Sequence, residues 1–397
     1  FGNFNVRAPQ LTRLAREGLV FERAYVATSS CSPSRCSLLT SRYPHSHGAP
    51  RLHEPLPATQ VTFVEKLRES GYWTALAGKT HIGKPTEKKF DLVQAGGGAS
   101  GCEQWLSTLE KRPSDKPFLL WLAAVDPHRD YQPGAIDPPH DPANVVVPPY
   151  LADTPATRRD LALYYDEIGR LDQFVGRLLD ELDRQKLAQN TVVMFLSDNG
   201  RPFPRCKTTL YDSGIQTPLI VRWPAQIKAG GRTRSLVGSI DIGPTLLELA
   251  GISAPPSFQG KSFAPTLREP AKSVRDLLFA EKNWHDFDDH ARSATDGRFK
   301  YIRHAFTDRP LTPPADAVRS VSFQELRRLR DAGMLTDEQR ICFRTPRPGE
   351  ELFDLSADPH ELRNLAADPA HATTLTRLRA ALDEWVRATD DQVVPDR

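Results

Sequence analysis

The most chemically suggestive stretch of the chain is Cys31-Ser32-Pro33-Ser34-Arg35, followed by Cys36-Ser37-Leu38-Leu39-Thr40. The segment Ser34 through Leu39 opens a helix with Pro33 near its first turn, so Cys31 is expected beside an anion-attracting helix N-terminus, where a thiol ionises readily. Arg35, four residues on, falls on the same helical face. Lys79 and His81 alternate through Thr80 after an apolar strand, so both side chains are expected in one crevice at the strand's C-terminal end. His128 follows a second apolar run, and its imidazole suits proton transfer near neutral pH. Asp198 and Asn199 follow a third, with hard oxygens that suit Ca2+ or Mg2+. Lys207 adds another cation. His285 lies in Glu281-Lys282-Asn283-Trp284-His285-Asp286, where an aromatic ring beside polar groups suits a sugar-binding subsite; a purely structural histidine fits equally well. Singly, the others also have plain explanations: a small residue at a helix start, solvated lysines, a capped loop histidine, an Asp-Asn-Gly turn. Only together do they point to one anion-handling site.

These side chains need a scaffold that brings strand ends together. Trp73 to Ala77, Phe118 to Val125, Thr191 to Leu196 and Pro218 to Val221 read as strands alternating with helical patterns, the rhythm of an α/β sheet covered on both faces. The clearest helix runs from about Ala156 to Gln185, with Leu161, Tyr164, Ile168, Leu171, Val175, Leu178 and Leu182 on its core-facing side. Gln132 to Pro155 is rich in proline and reads as an extended excursion over the surface, of the kind that shapes the rim of a site. After about residue 270 the texture changes: an Asp296-Gly297 hairpin signal and an amphipathic helix from Ala370 to Ala388 predict a smaller α+β unit. The expected division is 1–270 for a catalytic α/β domain and 271–397 for a C-terminal subdomain.

The Cys-x-Pro-Ser-Arg segment resembles the type I sulfatases of the alkaline phosphatase-like superfamily, whose cysteine at this place is converted to formylglycine. Further landmarks follow in that family's order: Gly78-Lys79-Thr80-His81, Asp126-Pro127-His128, Ser197-Asp198-Asn199-Gly200, Lys207 before Leu210-Tyr211-Asp212-Ser213-Gly214, and Asp358-Pro359-His360-Glu361 near the end. Asp153 to Leu161, Ile168 to Gln173 and Ser197 to Pro204 look most like the heparan N-sulfatase (sulfamidase) branch. The resemblance implies a mixed central sheet between helices, a nucleophile made from Cys31, and Arg35 steadying it. It further implies that Lys79 and Lys207 clamp the sulfate, His81 orients the formylglycine, and His128 contacts the sulfate and protonates the leaving group. Asp198 and Asn199 are implied metal ligands, for Ca2+ or alternatively Mg2+. Implied partners are a sulfated glycan and a formylglycine-generating or sulfatase-maturing enzyme, in a periplasmic, secreted or lysosome-like compartment.

The pattern also has a gap. The family's metal takes four side chains, the first two being consecutive aspartates at the end of the opening strand, and no such strand or pair precedes Ala8-Pro9-Gln10-Leu11. The expectation is that the chain, which opens abruptly at Phe1-Gly2-Asn3, is N-terminally truncated and lacks its first strand.

Composition narrows the field further. The 397 residues carry 52 Lys and Arg against 50 Asp and Glu, a net charge of +2, which argues against a nucleic-acid binder working by bulk charge. Apolar runs are too short to span a bilayer. Five cysteines without paired spacing indicate neither a disulfide framework nor a structural zinc site. The leading expectation is a sulfatase acting on a sulfated sugar, the N-sulfoglucosamine of heparan-type glycans. Alternatives are a glycan O-sulfatase, a phosphonate or phosphate ester hydrolase, and a catalytically silent glycan-binding homologue.

Overall fold

The computed structural model describes every residue except Phe1, Gly2, Phe4, Gly97 and residues 393–397, so the first residues of the abrupt start lie outside it. The central layer is a mixed sheet in two hydrogen-bonded pieces. The first has the order β3 (Leu92–Ala95), β2 (Trp73–Gly78), β4 (Phe118–Ala123), all parallel. The second has the order β5 (Val193–Leu196), β6 (Leu219–Arg222), β1 (Leu19–Tyr25), β7 (Gly231–Gly238), antiparallel except for β1 with β7. Among the described residues no ladder joins β4 to β5, and both strands are only half-buried along most of their length.

The two pieces nevertheless share the same two cores. Alternate residues of a strand point to opposite faces. Leu119 and Trp121 of β4 and Met194 and Leu196 of β5 pack with Phe63, Leu67 and Leu247 on one face. Leu122 of β4 and Val193 and Phe195 of β5 pack with Leu11, Leu14, Leu171 and Leu179 on the other. The layer is therefore covered by helices on both sides, as the sequence pattern predicts.

The long helix observed over Pro155–Arg184 begins where Thr154 accepts a hydrogen bond from the Thr157 backbone and Pro155 takes a first-turn position that needs no N–H donor. Leu161, Leu171, Val175 and Leu182 are buried along it, together with Asp160, Asp166 and Asp172. Burial of these carboxylates is tolerated because each is satisfied: Asp160 by Arg129, Asp166 by His140, Asp172 by the Gln10 and Leu11 backbone. The proline-rich segment before this helix corrects one expectation. It does not merely skirt the surface, because Val145, Tyr150, Leu151 and Ala152 are buried against the helix and against Phe323 and Leu326.

The remaining strands form an antiparallel sheet, in the order β11 (Glu350–Asp354), β10 (Phe299–His304), β9 (Ala291–Thr295), β8 (Leu278–Lys282). Gly297 adopts φ +81° in the Asp-Gly turn between β9 and β10, a conformation that costs glycine little. The helix Ala372–Ala388 lays Leu375, Leu378, Leu382 and Trp385 onto this sheet. Tyr25 of β1 and Leu210 share a buried cluster with Leu278, Ile302 and Phe353, so this sheet and the central layer have a common core.

Gly78 ends β2 with φ +94°, and a Cβ there would lie 1.9 Å from the Ala123 carbonyl oxygen of β4. Gly71 also has positive φ (+92°) but open space around it. Gly78→Ala is therefore expected to destabilise the protein by at least ~2 kcal/mol in urea unfolding, and Gly71→Ala by only about 1 kcal/mol. Equal losses would show that the close approach at Gly78 does not matter.

Candidate active site

Cys31 occupies the first position of the helix Cys31–Thr40, and every residue of that helix is buried. Burial of the whole helix explains its composition, since serines, a threonine and two cysteines offer small side chains that let neighbouring elements close in. Lys79 leaves β2 directly after Gly78, with its backbone N–H held by the Ala123 carbonyl at 2.9 Å. His81 follows with φ 52°. His128 stands in the loop beyond β4, Asp198 and Asn199 in the loop beyond β5. Lys207 is fixed by neighbours on either side: its N–H bonds to the Arg201 carbonyl at 3.0 Å and the Thr208 N–H to the Ser29 carbonyl at 3.0 Å. Strand ends and one helix N-terminus thus meet at a single place, where ligand sites form in open α/β sheets.

The thiol is 3% exposed, and burial by itself pushes it up. The charges of Lys207 and Lys79 and hydrogen bonds with His128 and His81 outweigh burial and hold it well below the ordinary thiol range. Its sulfur also stands 3.2 Å from Asn199 Oδ1, which accepts the thiol proton when one is present. Lys207 is itself 3% exposed; burial opposes its charge, but Cys31 and Asp316 raise its pKa above that of a free lysine.

Arg35 reaches sideways from the helix. Its Nε donates to Asp198 Oδ2 at 2.7 Å and its Nη1 to the Lys79 carbonyl at 2.9 Å, so one guanidinium ties the helix to the ends of β2 and β5. His128 Nδ1 lies 2.6 Å from its neighbour's carbonyl, Arg129 O. A carbonyl only accepts, so Nδ1 carries the hydrogen and Nε2 is the nitrogen free to take or give a proton, 3.5 Å from Lys207 Nζ. His285 Nδ1 lies 2.7 Å from Ser30 Oγ, and burial followed by the charge of Lys207 pushes its imidazole down to about 4. Every residue singled out from the sequence is therefore in this one neighbourhood.

Sequence reading missed His53 and Asp316. His53 Nδ1 is 2.8 Å from His81 Nε2. Asp316 Oδ2 is 3.5 Å from Lys207 Nζ and 3.8 Å from His128 Nε2. Neither stands in a motif, and only the chain's long-range path brings them here. Arg205, also missed, supports the Lys207 loop: it is 1% exposed, stacks on Tyr211 at 3.8 Å and donates to the His360 carbonyl at 2.8 Å.

Asp198 and Asn199 offer oxygen donors of the kind a hard cation takes. However, one Asp198 oxygen already accepts from Arg35 and Asn199 Oδ1 faces the thiol, whereas Ca2+ takes about six to eight oxygens. Among the described residues, the only group of at least three His, Cys, Asp or Glu with metal-holding spacing is His45, Glu281 and Asp391. The donors described at Asp198 and Asn199 do not complete a Ca2+ site. The five cysteines are all free and buried. A cavity of about 810 Å3 is lined by Trp284, Arg51, Arg292 and Arg309; another of about 430 Å3 includes Trp284, His285 and Phe287.

With this geometry in view, the likeness to known proteins is decisive. The family profile "Sulfatase" matches residues 2–101 and 99–252. The chain belongs to the sulfatase family. It is a hydrolase of sulfate esters or sulfamates, as its relatives' names state. A second profile, the C-terminal region of N-sulphoglucosamine sulphohydrolase, matches residues 205–309 of this sulfatase. An ulvan-active sulfatase of Formosa agariphila is 32% identical, over 100% of this chain and 74% of its own length. Human N-sulphoglucosamine sulphohydrolase is 31% identical, over 98% and 87% respectively. Among solved structures, one in complex with its substrate D-glucosamine-2-N,6-O-disulfate has TM-score 0.76 at 19% identity, covering 97% of this chain and 93% of that one. A phosphonate monoester hydrolase from Silicibacter pomeroyi has TM-score 0.73 at 20% identity, covering 97% and 91%. These structures share the fold. Among the described residues no helix is long and apolar enough to cross a membrane.

The charge balance at the sulfur can be checked directly in the unmodified protein. Lys207→Met removes the first of the charges that hold Cys31 low, so the Cys31 titration is expected to move upward, read as the pH dependence of thiolate ultraviolet absorbance with Cys31→Ser as blank. An unmoved titration would show that Lys207 does not act on the sulfur.

Proposed function

We propose that this sulfatase removes sulfate from N-sulfoglucosamine of heparan-type glycans, with a formylglycine made from Cys31 as nucleophile. The observation that carries the reading is the ring of Lys79, Lys207, His81 and His128 around the buried Cys31 sulfur. The sulfamidase branch is supported by the C-terminal profile match and by the human relative.

A sulfate monoester or sulfamate places its negative charge on three oxygens and departs from a poor leaving group, so donors must be in place before the bond breaks. Lys79 and Lys207 bind the sulfate oxygens from two sides. Arg35 holds the nucleophile's helix in register with both loops. His81, itself held by His53, orients the residue at position 31. The formylglycine hydrate supplies what a lone thiol or hydroxyl lacks, a second hydroxyl through which sulfate is expelled as the aldehyde reforms. His128, hydrogen-bonded through Nδ1 to its neighbouring carbonyl, presents Nε2 to the leaving nitrogen or oxygen and gives it a proton. His285 lines the side leading to the cavity of Trp284 and Phe287 and contacts the sugar. Asp198 and Asn199 are two oxygen donors to a divalent cation, Ca2+ or Mg2+, which they alone would leave mostly hydrated. Maturation by a formylglycine-generating or sulfatase-maturing enzyme, a compartment outside the cytoplasm, and the division into 1–270 and 271–397 belong to the same proposal.

A glycan O-sulfatase is the second reading, favoured by the ulvan-active relative of nearly equal identity. The formylglycine-bearing enzyme is expected to release sulfate from N-sulfoglucosamine, with at least about 10³-fold loss in Cys31→Ala. Release from O-sulfated sugars alone would transfer the assignment to the second reading. His128→Ala is expected to slow hydrolysis of the sugar substrate by about 10²-fold or more but an aryl sulfate, whose leaving group needs no proton, much less. Equal loss on both would remove His128 from the role of acid.

A further inference from the structure

We propose that Asp316 is a specificity-determining residue, a hydrogen-bond acceptor for the N–H of a sulfamate substrate; this rests on the N-sulfoglucosamine reading above. The groups that converge on the Cys31 sulfur are mostly cations or hydrogen-bond donors, as an anionic substrate requires. A carboxylate in that company supports the charge of Lys207 but also weakens the attraction for sulfate, and its placement beside His128 gives it a second use.

The other nearby carboxylates are already engaged. Asp198 is paired with Arg35 at 2.7 Å. Asp286 Oδ2 accepts the Ala315 backbone N–H at 2.7 Å, which pins the short helix Ala315–Val318 beside His285. Asp316, on that same helix, uses Oδ1 to accept the Ala317 N–H at 2.7 Å. Its Oδ2 has only loose contacts, 3.5 Å to Lys207 Nζ and 3.8 Å to His128 Nε2, longer than a tight charge-assisted bond. The side chain is 14% exposed, so a substrate group can reach it. Its acceptor oxygen is thus fixed beside both the sulfate clamp and the proposed acid, on the side where the leaving group must lie.

The chemistry of that leaving group distinguishes two substrate classes. A sulfamate nitrogen carries one hydrogen; the bridging oxygen of a sulfate ester carries none. An acceptor at this place gains a charge-assisted hydrogen bond from the first and only repulsion from the second. An acceptor that meets a donor on one substrate and a lone pair on the other discriminates between them.

The test compares sulfate release from N-sulfoglucosamine and from glucosamine 6-O-sulfate by the formylglycine-bearing wild type and its Asp316→Asn and Asp316→Ala variants. Asparagine keeps the size of the side chain and the acceptor for Ala317 while removing the charge. The ratio of kcat/KM for the N-sulfated over the O-sulfated sugar is expected to fall at least about tenfold in both variants. A parallel loss on both sugars, with the ratio unchanged, would assign Asp316 a structural role and overturn the proposal while leaving the sulfamidase reading intact. Wild-type enzyme that cleaves only the O-sulfated sugar would overturn that reading, and the role of Asp316 with it.

Discussion

The site depends on one guanidinium. Arg35 ties the nucleophile helix to both the loop after β2 and the loop after β5, through the Lys79 carbonyl and the Asp198 carboxylate. Backbone hydrogen bonds cannot do this, because β2 and β5 lie in different hydrogen-bonded pieces of the central layer. A planar donor with several N–H groups in fixed directions sets both distances at once, and lysine has no equivalent geometry. The relative placement of Cys31, Lys79 and Asp198 follows from it.

Electrostatic economy follows from the same arrangement. The chain as a whole is nearly neutral, at +2, yet the charges of two lysines and hydrogen bonds with two histidines converge on Cys31. Lys207 stays charged at 3% exposure because Cys31 and Asp316 face it. Burial thus strengthens the field on an incoming sulfate instead of extinguishing the charges that make it, since water that would screen them is excluded.

Much of this was legible from residue order. The helix start at Cys31, the strand ends before Lys79, His128 and Asp198, the long helix and the Asp296-Gly297 hairpin all obey local rules of periodicity and turn chemistry, and the structure agrees within a few residues. Asp316 and His53 were not legible, because their significance lies in contacts across more than 100 and nearly 30 residues of chain, respectively, which no local pattern encodes. The burial of Tyr150 and Leu151 was missed for a related reason. Proline density signals an irregular backbone, but whether such a backbone is buried depends on what packs over it, here Phe323 and Leu326 far along the chain.

The unjoined strands β4 and β5 carry a consequence for mechanics. His128 follows one and Asp198 the other, so the pocket straddles a seam crossed by side-chain packing and by Arg35, with no ladder between these two strands among the described residues. Ladders resist sliding along a strand; apolar contacts resist separation but slide more easily. The stiff direction of this pocket is therefore across the sheet's thickness, where helices press on both faces, and the compliant direction runs along the strands. Motion in that direction changes the distance from His128 to Lys207, while Lys79 moves with His128 and each half of the sheet stays intact.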